Sequence, residues 1–117
     1  MRVAVLGAGN GGVASAFDFA QHGHEVALFA PPDYAENVVA IDAAGGITAH
    51  GDLEGFAPVR YSGSEAGAAL EGAKLVILVG LFVGQESGAE ICVRLRFLVP
   101  NTNVLLISGA GPPVSVP

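Results

Sequence analysis

Apolar residues come in short bursts along this chain, and the period inside each burst names an element. Arg2–Leu6, "RVAVL", is an unbroken apolar run rich in β-branched residues, the pattern of a buried strand. The period then changes. Val13, Ala16, Phe17 and Ala20 stand at i, i+3, i+4 and i+7, which makes one apolar stripe of a helix running from Gly12. Gly23 suits the C′ position that ends such a helix. Glu25–Phe29, "EVALF", predicts a second strand, stopped by Pro31-Pro32 because neither proline can donate to a ladder. Asp33 stands where a helix reaching about Ala44 would take its N-cap, and Gly45-Gly46 would end that helix.

The middle of the chain is less periodic. Ile47–Ala49 and Pro58–Tyr61 are short strand candidates joined by a Gly-rich stretch, and Ser64 is placed to cap a short helix through Leu70. Lys74–Val79, "KLVILV", has no polar alternation, as expected of a strand covered on both faces. A helix is predicted from Gln85 to Leu98. Two apolar stripes compete on it, Ile91/Leu95/Leu98 and Ala89/Val93. Pro100-Asn101 reads as a turn, Asn103–Ile107 as another buried strand, and the tail "SGAGPPVSVP" as irregular. Strands alternating with helices predict an α/β fold, a Rossmann-type doubly wound, mainly parallel sheet with helices on both faces.

Composition narrows the class. At 117 residues the chain is read as one domain, and 51% hydrophobic against 14% charged residues excludes a disordered chain. The charge is −6, from 5 Lys+Arg against 11 Asp+Glu, and no basic patch is visible, so a nucleic-acid partner is not expected. Cys92 is the single cysteine, which excludes an intrachain disulfide framework and a CxxC metal site. It reads as a small buried hydrophobe, and a reducing, cytoplasmic location fits. No charged n-region precedes a long apolar run, so no signal peptide is read. The longest apolar stretch, Leu75–Val83, is about half of what a membrane-spanning helix needs, and no membrane partner is expected.

Glycine carries the chemical signal. Gly7-x-Gly9-x-x-Gly12 lies between the first strand and the first helix, with a second strand closing the βαβ unit, which is the context of the dinucleotide fingerprint. Gly7 allows the tight turn, Gly9 lets a diphosphate approach the main chain, and Gly12 lets the helix pack close to the strand. The helix N-terminus adds unpaired N–H groups and a partial positive charge. A plainer alternative makes the glycines only a compact turn. The candidate cofactor-binding residues are therefore Gly7, Ala8, Gly9, Asn10, Gly11 and Gly12. The fingerprint also expects an acidic residue at the end of the second strand, to bind ribose hydroxyls. Phe29-Ala30-Pro31-Pro32 stands there, and Asp33 follows slightly late, as a ribose ligand or as a helix cap. No Arg or Lys lies nearby to hold a 2′-phosphate, so the cofactor is NAD or NADP, with NAD preferred. Gly80, Leu81 and Ser108 fall at strand C-termini, the edge that faces the ligand crevice of a doubly wound sheet, and are added as cofactor neighbours.

The remaining polar residues have ordinary readings. His22 and His24 flank Gly23 and suit a helix C-terminus. His50, with Asp52 and Glu54 nearby, has no second cluster to support acid–base or metal chemistry. Arg94 and Arg96 are expected to face solvent.

The stretch "VAVLGAGNGGVASAFDFAQHGHEVALF" resembles the N-terminal nucleotide-binding domain of the NAD/octopine (opine) dehydrogenase family. Gly7-Ala8-Gly9-Asn10-Gly11-Gly12 carries most of the likeness, and "GHEV", "GGITAHGDLEG" and "GAKLVILV" extend it over Arg2 to Ile107. Ketopantoate reductases and glycerol-3-phosphate dehydrogenases are similar more distantly. The resemblance implies an NAD(P)-dependent oxidoreductase that reductively joins an amino acid to an α-keto acid. In that family a separate C-terminal domain binds substrate and supplies the catalytic residues. On this reading that domain is absent from residues 1–117, no catalytic residue is assigned, and turnover by the chain alone is not expected. Gly80-Leu81-Phe82 and Gly109-Ala110-Gly111-Pro112 differ from the family at the edge facing the nicotinamide. A reading of another class is a nucleotide-sensing regulatory module that works through a partner. Apolar surface left without a partner domain predicts a homodimer.

Overall fold

Strands and helices alternate through the N-terminal half in the order the periodicity predicts. The chain runs β1 (Arg2–Leu6), α1 (Asn10–Gln21), β2 (Glu25–Phe29), a 3-10 segment (Pro32–Val38) and α2 (Val39–Ala44). Then come β3 (Gly46–Ala49), β4 (Gly55–Pro58), β5 (Tyr61–Gly63), α3 (Ala66–Leu70) and β6 (Leu75–Val79). β7 (Phe82–Val83), β8 (Glu86–Ser87), β9 (Asn103–Ile107) and β10 (Val114–Val116) complete it. This computed structural model describes residues 1–79, 82–83, 86–87, 91, 94–95, 99, 101–107 and 114–116.

The fold is α/β. Six strands form one sheet in the order β10-β9-β6-β1-β2-β5. β5, β2, β1, β6 and β9 are parallel, and β10 closes the edge antiparallel to β9. β1 lies between two parallel neighbours, so its apolar run is buried whichever face a residue takes: Val3, Ala4, Val5 and Leu6 are each 5% exposed or less. Strand alternation sends these residues into two cores. Val3 and Val5 join Val26, Leu28 and Ile77 under Ala16 and Phe17 of α1. Ala4 and Leu6 join Val76, Leu78 and Val104 on the other side, with Ile91 and Leu95, which have helical backbone. Helical residues thus cover both faces, and Ile91/Leu95 belong to the inward stripe of the two that the sequence left open.

Several expectations are corrected. The helix expected from Asp33 is a 3-10 segment with Pro31 at its N-cap, kinked at Tyr34, followed by the short α2. Asp33 makes no side-chain cap bond there, because the chain turns into the segment at Pro31, two residues before it. The loose strand pair separates: β3 pairs antiparallel with β4 as a hairpin, while Tyr61–Gly63 joins the main sheet beside β2. Ser64 does not cap α3, since Glu65 holds the N-cap position and the Ser64 hydroxyl is buried without a partner. Glu86–Ser87 pairs with Phe82–Val83, so a helix cannot start at Gln85. The tail is not irregular throughout, for Val114–Val116 pairs with Val104–Leu106. Gly80, Leu81, Cys92, Arg96 and Ser108 lie outside the described residues.

Candidate functional site

The site forms where β1 stops. Gly7 leaves the strand with φ +118°, a conformation that L side chains rarely adopt, and its N–H donates to the Phe29 carbonyl at 2.9 Å. That bond holds the turn against the end of β2. Gly12, one turn into α1, sits directly on this turn: a Cβ there would run into the Gly7 carbonyl. The close approach is therefore between helix and turn, a more local constraint than the helix–strand packing expected from the motif. Gly11 lies over β6, where an added Cβ would stand 3.2 Å from a Val79 methyl.

Gly9 behaves differently. It is the N-cap of α1, its φ of −78° and ψ of −172° suit any residue, and an added Cβ would meet none of the described residues within 4 Å. No side chain caps the helix and no acidic residue stands in its first turn. The first N–H groups of α1 thus have no side-chain cap among the described residues, and the positive end of the helix dipole lies there.

A crevice of 280 Å³ opens here, lined by Gly7, Ala8 and Gly9, by Pro31, Tyr34 and Asn37 after β2, and by Val79 at the end of β6. Asn37 donates from Nδ2 to the Ala8 carbonyl at 3.3 Å and ties the 3-10 segment to the glycine turn. Tyr34, half exposed, stands one 3-10 turn earlier on the same segment. Among the described residues the lining carries no charged side chain. Of the sequence candidates, Gly7, Ala8 and Gly9 meet in this crevice, Asn10 lines a neighbouring cleft, and Gly11 and Gly12 support the turn from behind. Asp33 is exposed and borders neither space. Tyr34, Asn37 and Val79 were missed, although the first two stand five and eight residues after β2, on the segment that follows the strand end where the fingerprint expects its ribose ligand.

The histidines have mainly local partners. His22 is the C-cap of α1 and donates from Nδ1 to the Asp18 carbonyl at 2.7 Å. His24 accepts from the Met1 ammonium at 3.0 Å and meets Phe19 edge-on at 5.8 Å. His50 and Asp52 line the neighbouring cleft. Among the described residues no three His, Cys, Asp or Glu are grouped to hold a metal ion, and no helix is long and apolar enough to cross a membrane.

These features define an α/β protein whose uncapped first helix opens on the C-terminal edge of a parallel sheet. Compared with known proteins, the chain matches no protein-family model and no curated protein.

Proposed function

We propose that the chain is a dinucleotide-binding domain of an oxidoreductase similar to the opine dehydrogenases, and that it takes NAD or NADP at the mouth of α1. The observation that carries the reading is the contrast between Gly12 and Gly9. Gly12 has a protein reason to lack a side chain, because the Gly7 carbonyl occupies that space. Gly9 has none among the described residues: its backbone angles are ordinary and none of them stands within 4 Å of an added Cβ. A group outside the protein supplies the missing reason, and a diphosphate suits the exposed amides and the helix dipole.

The strand order supports the same reading. β5-β2-β1-β6-β9 has the 3-2-1-4-5 order of the doubly wound dinucleotide-binding fold, in which ligands sit at the carboxyl edge where the order reverses. Here that edge carries the glycine turn between β1 and β6. The residues present fit the cofactor: Gly9 leaves room for the diphosphate, and Tyr34 and Asn37 offer an aromatic face and an amide beside it. When bound, the nicotinamide ring supplies hydride chemistry, and these residues bind and orient. With no Lys or Arg among the described residues of the crevice lining, a 2′-phosphate gains no cation from them, which favours NAD.

Titration calorimetry with NADH and NADPH tests the proposal. The unaltered chain is expected to bind, NADH more tightly. Gly9→Ala is expected to keep its stability within about 1 kcal/mol, since its angles accept a Cβ, and to lose dinucleotide affinity at least about tenfold. Equal affinity in the two chains would sink the reading.

A further inference from the structure

A second cleft, of 680 Å³, adjoins the crevice and shares Ala8, Gly9 and Asn37 with it. It lies between the first half of α1 and the β3–β4 hairpin. Val13 and the exposed Leu53 give it apolar walls, with Phe17 and Ile47 buried behind them, and Asn10, His50 and Asp52 add polar groups. Its size falls within the roughly 300–1,000 Å³ typical of small-molecule sites, whereas the 280 Å³ crevice is below that range. The crevice alone is thus small for a dinucleotide, and among the described residues this cleft adjoins it beyond Gly9.

The cleft also contains the group that the end of β2 lacks. Among the described residues no carboxylate lines the crevice, and Asp33 borders neither space. Asp52 lines the cleft, and among the described residues its side chain makes no hydrogen bond or ion pair. An ionised carboxylate only accepts, and its two oxygens suit two adjacent hydroxyls. It also repels a phosphate placed on either of them.

Resting on the dinucleotide reading above, we infer that the hairpin cleft is the nucleoside subsite. Asp52 accepts hydrogen bonds from the ribose 2′- and 3′-hydroxyls, and Val13 and Leu53 flank the base. This makes Asp52 the residue that selects NAD over NADP. Sequence spacing hides the role, because Asp52 lies on a hairpin that packing brings to the mouth of α1.

Calorimetry on the whole chain tests the inference with NADH, NADPH and ADP-ribose as probes. Asp52→Asn is compared with Asp33→Asn, and circular dichroism checks that both fold; Asp52 is exposed, so both are expected to do so. The expected result is NADH and ADP-ribose binding weakened about tenfold or more in Asp52→Asn, with the preference for NADH over NADPH reduced. Asp33→Asn should bind like the unaltered chain. Full NADH affinity and unchanged selectivity in Asp52→Asn overturn the inference while the dinucleotide reading stands. Failure of the unaltered chain to bind any of the three probes overturns both.

Discussion

Gly9 and Gly12 are three residues apart in one motif, yet a methyl group added to each meets opposite surroundings. At Gly9 it would meet none of the described residues within 4 Å; at Gly12 it would collide with main chain. Backbone cannot swing aside as the tip of a long side chain can, so α1 would have to lift off the turn. Gly12→Ala is therefore expected to lose about 3 kcal/mol of stability, a large share of a small domain's total, read as a lower urea midpoint. An unchanged midpoint would mean that helix and turn are not in contact. The glycine pattern was legible in the sequence because each role depends on residues within a few positions. The sequence could not say that Gly12 faces the Gly7 carbonyl and not the strand, since that distance is set by how α1 settles on the sheet.

At the scale of elements, α3 shows why short segments escape sequence reading. A helix of 5 residues is not stable by its own hydrogen bonds. It is held from outside at both ends. The Tyr61 hydroxyl accepts from the Glu65 N–H at 2.9 Å, and the Arg60 guanidinium donates to the Ala68 and Ala69 carbonyls at 3.3 and 3.2 Å. Tyr61 thus does the capping expected of Ser64. Tyr61→Phe is expected to cost about 1 kcal/mol in urea unfolding, whereas Ser64→Ala removes no hydrogen bond made among the described residues. A larger loss at Ser64 than at Tyr61 would contradict this assignment. The long apolar runs of β1, β2, β6 and β9 were read within one residue of their observed bounds, because burial on both faces writes itself into consecutive residues. β3, β4, β5 and β10 are three or four residues long and owe their pairing to partners elsewhere.

Across the whole molecule, apolar surface remains on the side of α2 and the hairpin. Val39 is 63% exposed and Phe56 is 50% exposed. A homodimer through this surface is the expected outcome. Light scattering should give twice 11.7 kDa, and Phe56→Ser should return the single-chain mass. The single-chain mass at high concentration would exclude such a dimer.

The sequence by itself determined the strand–turn–helix at the N-terminus and the buried strands around it. Those features follow from residue type and short-range period: β-branched runs, a 3.6-residue stripe, and glycines where the turn forbids a side chain. Only the tertiary structure decided what stands around the turn. Tyr34 and Asn37 arrive from beyond β2, Val79 from β6, and Asp52 from the hairpin. Strand order and the packing of α1 against the hairpin bring these distant residues together, and no local period in the chain encodes either.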